Sequence, residues 1–90
     1  MPTIRIPTPL RTYTDGQSEV AVEGDTVGAV LQDLTDQHSE LRQHLYNDAG
    51  ELRPFVNVFL GSEDVRHLQG ETTAVTAEDK LRIVPSVAGG

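Results

Sequence analysis

The chain has 90 residues, 37% of them hydrophobic and only four aromatic (Tyr13, Tyr46, Phe55, Phe59), so it is expected to hold one domain with a core of Val, Leu and Ile. Fourteen acidic residues against seven basic ones give a formal charge of −7. That balance works against nucleic acid, where affinity comes from neutralising phosphates, and against an anionic membrane surface, and it favours a protein partner of basic or mixed charge. The absence of cysteine excludes a disulfide, a thiol nucleophile and a thiolate metal site.

No run approaches the roughly 20 apolar residues of a spanning helix, and "MPTIRIPTPLRTYT" lacks the apolar stretch of a signal peptide, so a cytoplasmic protein is expected. "TIRIP" and "SEVAVEG" alternate Ile4, Ile6, Val20 and Val22 with polar neighbours, the period of half-buried strands. Between them Pro7, Pro9 and Asp15-Gly16 mark a loop with a turn, which makes an opening hairpin. In "GDTVGAVLQDLTDQH", Val27, Val30, Leu31 and Leu34 fall on one helical stripe, with Asp25 or Thr26 able to cap the first turn. Leu41 and Leu45 predict a short helical segment in "SELRQHLY", followed by a loop in "NDAGELRP".

"FVNVFLG" is the strongest strand signal, with Val56, Val58 and Leu60 on one face and Phe55, Asn57 and Phe59 on the other. Gly61-Ser62 suits a turn, "SEDVRHLQG" and "TTAVTAEDK" suit short irregular structure, and "KLRIV" is the final strand, closed by Pro85. Strand, strand, helix, strand, irregular edge, strand is the order of the β-grasp (ubiquitin-like) architecture. It is an α+β fold in which one main helix crosses one face of a mixed sheet of four to five strands. Residues 1–84 form the domain and residues 85–90 a tail.

Few residues invite a catalytic role. His38, His44 and His67 lack the tight ligand spacing of a zinc site, and the adjacent acids Glu63-Asp64 and Glu78-Asp79 fall where solvated turns are expected. P-loop, GxSxG and GxGxxG patterns are absent. If Val56 and Val58 pack under the helix, Phe55 and Phe59 project from the far sheet face beside Val84, where they either form a partner surface or lie under loops. The tail "PSVAGG" has a chemical use. A terminal carboxylate that attacks the α-phosphorus of ATP in a partner's pocket must thread a narrow channel, and glycine neither blocks the channel nor resists its backbone angles.

With "IPTPLR", "GDTVGAVLQDL", "FVNVFLGSEDVR" and "DKLRIVPSVAGG" together, the chain resembles the ThiS/MoaD family of ubiquitin-like sulfur carriers over nearly its whole length, closest to the CysO type of cysteine biosynthesis. The resemblance implies that Gly90 is adenylated by a MoeB/ThiF-like enzyme using ATP and becomes a C-terminal 1-thioglycine, a thiocarboxylate. Gly89, Ala88, Val87, Ser86 and Pro85 would be the arm that the partner recognises. It further implies a co-substrate with no turnover, bound cofactor or metal of its own. The sulfur acceptor would be a pyridoxal-phosphate-dependent cysteine synthase, with a metalloprotease later freeing the cysteine. Two alternatives stay open: a protein modifier forming isopeptide bonds through Gly90, and the small subunit of molybdopterin synthase. The family's usual Asn-Gly turn after the third strand is replaced here by Gly61-Ser62.

Overall fold

The structure is a computed structural model that describes residues 1–53 and 56–85. Strands β1 (Thr3–Arg5) and β2 (Glu19–Ala21) form the expected hairpin, with Ile4 opposite Val20. Ile4 and Val20 within these strands, and Ile6 and Val22 one residue beyond them, are all buried. The connection is more ordered than the predicted loop: Thr8–Thr14 wind into a 3-10 helix with proline at its start. Proline's fixed φ and missing donor suit a first turn whose amides have no helical partner. The segment stops where Asp15 (φ 55°) and Gly16 (φ 80°) turn left-handed, and Thr14 tucks inward to donate to the Gln17 carbonyl at 2.9 Å.

Helix α1 (Val27–Gln37) starts at Thr26, whose Oγ1 accepts from the Ala29 amide at 3.1 Å. Its predicted stripe of Val27, Val30, Leu31 and Leu34 is buried. Gly24 sets the approach to it. At φ 148°, an added Cβ would stand 2.8 Å from that of Ala29, so a side chain there collides with the helix it introduces. A 3-10 turn over Ser39–Leu41 leads into α2 (Arg42–Leu45), which buries Leu41 and Leu45. The following loop is tied by the Asn47 carboxamide, whose oxygen accepts from the amides of Ala49 (2.9 Å) and Glu51 (3.0 Å).

Strand β3 (Val56–Leu60) turns at Gly61 (φ 62°) into the short β4 (Glu63–Asp64). The irregular stretch after it contains 3-10 turns at Val65–His67 and Gly70–Thr72 and pins Ala74 against Thr26 through an isolated bridge. Strand β5 (Lys80–Pro85) runs one residue further than the sequence suggests, taking Pro85 from the predicted tail into register with Val56. It inserts between β1, to which it is parallel, and β3, to which it is antiparallel, giving a five-stranded mixed sheet ordered β2-β1-β5-β3-β4. With α1 on one face, this is the β-grasp arrangement.

Alternation along β5 divides the sheet. Leu81 and Ile83 join Val56, Val58 and the α1 stripe in a single apolar cluster, while Arg82 is exposed and Val84 half-buried. Among the described residues, no buried side-chain polar atom lacks a hydrogen-bond partner, and no helix is long and apolar enough to cross a membrane.

Candidate functional site

The sheet face turned away from α1 is built by register. Arg5 pairs with Glu19 on one side and Arg82 on the other, Arg82 pairs with Phe59, and Phe59 pairs with Asp64. Cross-strand partners share a face, so one row runs Glu19, Arg5, Arg82, Phe59, Asp64 across all five strands. It is acidic at both edges and cationic and aromatic in the middle. The Arg82 guanidinium stands 5.1 Å from the Phe59 ring centroid, within cation–π range.

The next row toward the end of β5 places Val84 opposite Asn57, which makes Val84 the diagonal neighbour of Phe59. Arg66 reaches over this row, donating to Asn57 Oδ1 at 3.1 Å and to the Val56 carbonyl at 2.8 Å. Its own amide is capped by Asp64 Oδ1 at 2.9 Å. Phe59 and Val84 are half-buried on this far face, as the alternation of β3 predicted. Phe55, the third residue of the predicted surface, lies outside the described residues, as do Ser86, Val87, Ala88, Gly89 and Gly90.

Beside Val84 the face deepens into a groove of about 240 Å³ lined by Arg5, Ile6, Pro7, Thr8, Arg11, Arg82, Ile83 and Val84. Arg11 is held at its rim by a 3.0 Å bond from Nε to the Ile6 carbonyl. Sequence reasoning missed this grouping. Arg5 and Arg82 each occupy the polar phase of an alternating strand, but they come from opposite ends of the chain and meet only through the parallel β1–β5 pairing.

A larger cavity of about 670 Å³ lies at the α2 end, among Arg42, Gln43, Tyr46, Asn47 and Arg53. Burial pushes the Tyr46 phenol above its ordinary value, the Glu71 carboxylate adds to the rise, and Arg42 opposes it. The histidines stand apart from both places. His44 stacks on Tyr13 with ring centroids 4.1 Å apart, and among the described residues no group of three or more His, Cys, Asp and Glu could hold a metal ion. What the arrangement offers is recognition: an apolar and cationic surface at the end of the strand that leads into the tail.

The ThiS family matches residues 4–90. The sulfur carrier protein CysO of Mycobacterium tuberculosis (strain ATCC 25618 / H37Rv) is 43% identical over 90 residues, covering 98% of this chain and 97% of that protein. A chain in the crystal structure of the Amycolatopsis orientalis BexX/CysO complex superposes with a TM-score of 0.90 at 38% identity, with 100% of each chain covered. Small archaeal modifier protein 3 of Haloferax volcanii is 42% identical over 65 residues, 72% of this chain and 70% of that one.

Proposed function

The chain belongs to the ThiS family, and from that premise we propose that it is a sulfur carrier of the CysO type whose working group is the Gly90 carboxylate. A carboxylate oxygen of Gly90 attacks the α-phosphorus of ATP in the pocket of a MoeB/ThiF-like enzyme, and pyrophosphate leaves. A sulfide equivalent then attacks the acyl carbon of the adenylate, AMP leaves, and Gly90 holds a thiocarboxylate. ATP is consumed in the activating enzyme, and this chain contributes only the acyl group. The sulfur passes to an acceptor enzyme, with a pyridoxal-phosphate-dependent cysteine synthase as the proposed recipient, in the cytoplasm.

The observation that carries this reading is the family match, which spans residues 4–90 and so includes Gly90. The fold supports it, since Val84, Phe59 and the arginine groove lie close to the end of β5 at Pro85, where an activating enzyme can grip the domain together with the arm. Gly89, Ala88, Val87, Ser86 and Pro85 would be the residues its channel accepts, with Phe55, Phe59 and Val84 its docking surface.

A second reading rests on the similarity to the Haloferax modifier protein: the same adenylate could acylate a lysine amine and form an isopeptide bond. Self-conjugation would then be confined to Lys80, the single lysine of the chain, and the N-terminus.

The test is intact mass spectrometry with fragmentation of the C-terminus after incubation with a MoeB-like enzyme, ATP and sulfide. Exchange of one oxygen for sulfur at Gly90 is expected. Adenylate that never takes up sulfur favours the modifier reading, and an unmodified Gly90 in the presence of a competent enzyme removes both.

A further inference from the structure

We propose that the groove between β1, β5 and the Thr8–Thr14 turn binds an acidic segment of a protein partner, its carboxylates on Arg5, Arg11 and Arg82 and an apolar side chain against Val84. The inference deepens the proposed function by giving the chemistry of the partner that handles the tail.

Charge complementarity carries it. In a chain of net charge −7, three of the seven basic residues line one groove, and no acidic residue is among its lining. Guanidinium is the group suited to such a task, because its planar fork matches carboxylate in a bidentate way and loses less hydration than ammonium. Two of the three are held by contacts within the chain: Arg11 through its bond to the Ile6 carbonyl and Arg82 by the Phe59 ring. Less side-chain freedom is then lost when a carboxylate arrives.

The surroundings select a polypeptide over other anions. Glu19 and Asp64 end the row on which Arg5 and Arg82 sit, so the row's cations are confined to the adjacent strands β1 and β5, one spacing of roughly 4.8 Å apart. A nucleic-acid duplex or an anionic membrane laid on that face would bring its phosphates against the edge carboxylates, whereas one extended segment fits between them. Pro7 and Val84 supply apolar lining beside the guanidiniums, which a free inorganic anion would leave uncovered.

The experiment is a two-dimensional amide NMR titration of the full chain with a short peptide of glutamates flanking a leucine. Controls are the same peptide with lysines for glutamates, inorganic phosphate, and a short DNA duplex. Shifts confined to residues 5–11 and 82–84 are expected, with affinity falling at least about tenfold as salt rises and again in Arg5→Glu/Arg82→Glu. The amides of Leu31 and Leu34, buried on α1, report whether that variant is folded, and Arg5→Gln/Arg82→Gln replaces it if they move. Phosphate as strong as the peptide would make this a small-anion site, and stronger binding of the duplex would make it a nucleic-acid surface. Scattered or absent shifts would leave no site at all. Each of these overturns the proposal.

The same double variant is then assayed with the activating enzyme, where its KM is expected to rise about tenfold at unchanged kcat. A KM equal to that of the unaltered chain overturns the link to tail handling. Localised peptide shifts in a chain whose Gly90 is never modified would instead retain the groove and discard the sulfur-carrier reading.

Discussion

Tyr46 is the residue whose ionisation the fold changes most visibly. It follows α2 half-buried, with Arg42 5.7 Å from its ring centroid, and burial together with the Glu71 carboxylate raises its phenol pKa over the opposition of Arg42. In the unfolded chain the phenol titrates near about 10. Between that value and the raised folded one, the native state holds the extra proton. The stability tied to Tyr46 is therefore complete below about pH 10 and is lost as pH rises through the folded pKa. Urea unfolding midpoints measured from about pH 8 upward should decline less steeply in Tyr46→Phe than in the unaltered chain, and equal slopes would refute this account. Gly24 shows how far single residues can be understood in sequence. A glycine ahead of a helix suggests a turn, but the 2.8 Å approach to Ala29 exists only once the hairpin and α1 are packed.

At the scale of elements, the two buried patterns make opposite predictions for similar substitutions. Leu31 lies fully buried on the α1 stripe, so Leu31→Ala should cost about 2–5 kcal/mol from lost transfer energy and the cavity left behind. Phe59 lies half-buried on the far face of β3, and Phe59→Ala should cost under about 1.5 kcal/mol, below the figure for full burial. Its main effect should instead be a raised KM with the activating enzyme. Urea unfolding at constant slope separates the two, and a Phe59→Ala chain as unstable as Leu31→Ala would place that ring in the core.

Both assignments were legible in sequence, because period 3.6 in "VGAVLQDL" and period 2 in "FVNVFL" each sort apolar from polar positions without tertiary knowledge. The 3-10 helix at Thr8–Thr14 was not. Pro7 and Pro9 permit a loop as readily as a tight turn, and the choice is made by Thr14 and Arg11 bonding back to their surroundings. The β1–β5 pairing was equally hidden, since alternation tells which face a residue takes but not which residue stands beside it.

For the whole molecule, that missing register is why net charge alone does not describe this sheet face. The formal −7 is an average: the parallel pairing of β1 with β5 brings Arg5 beside Arg82, while acidic residues such as Glu23, Asp36, Glu40 and Glu78 lie exposed elsewhere. Local chemistry at the exit from β5 is thus opposite in sign to the average.

Among the described residues the apolar cluster runs from Ile4 to Ile83, and the tail is proposed to work in a partner's pocket. Stability and tail chemistry should therefore separate. Deleting Gly90 or adding one residue after it should leave the thermal midpoint within a degree or two, since one destabilising kcal/mol shifts a domain of this size by about 4–8 °C. Sulfur loading in the mass-spectrometric assay should be abolished by either change, because the reacting carboxylate is then one residue short of, or beyond, the phosphorus it must meet. A midpoint that falls with the deletion would mean that the tail packs on the domain. Loading that survives the added residue would mean that the partner's channel does not measure length, and Gly90 would lose its assigned role.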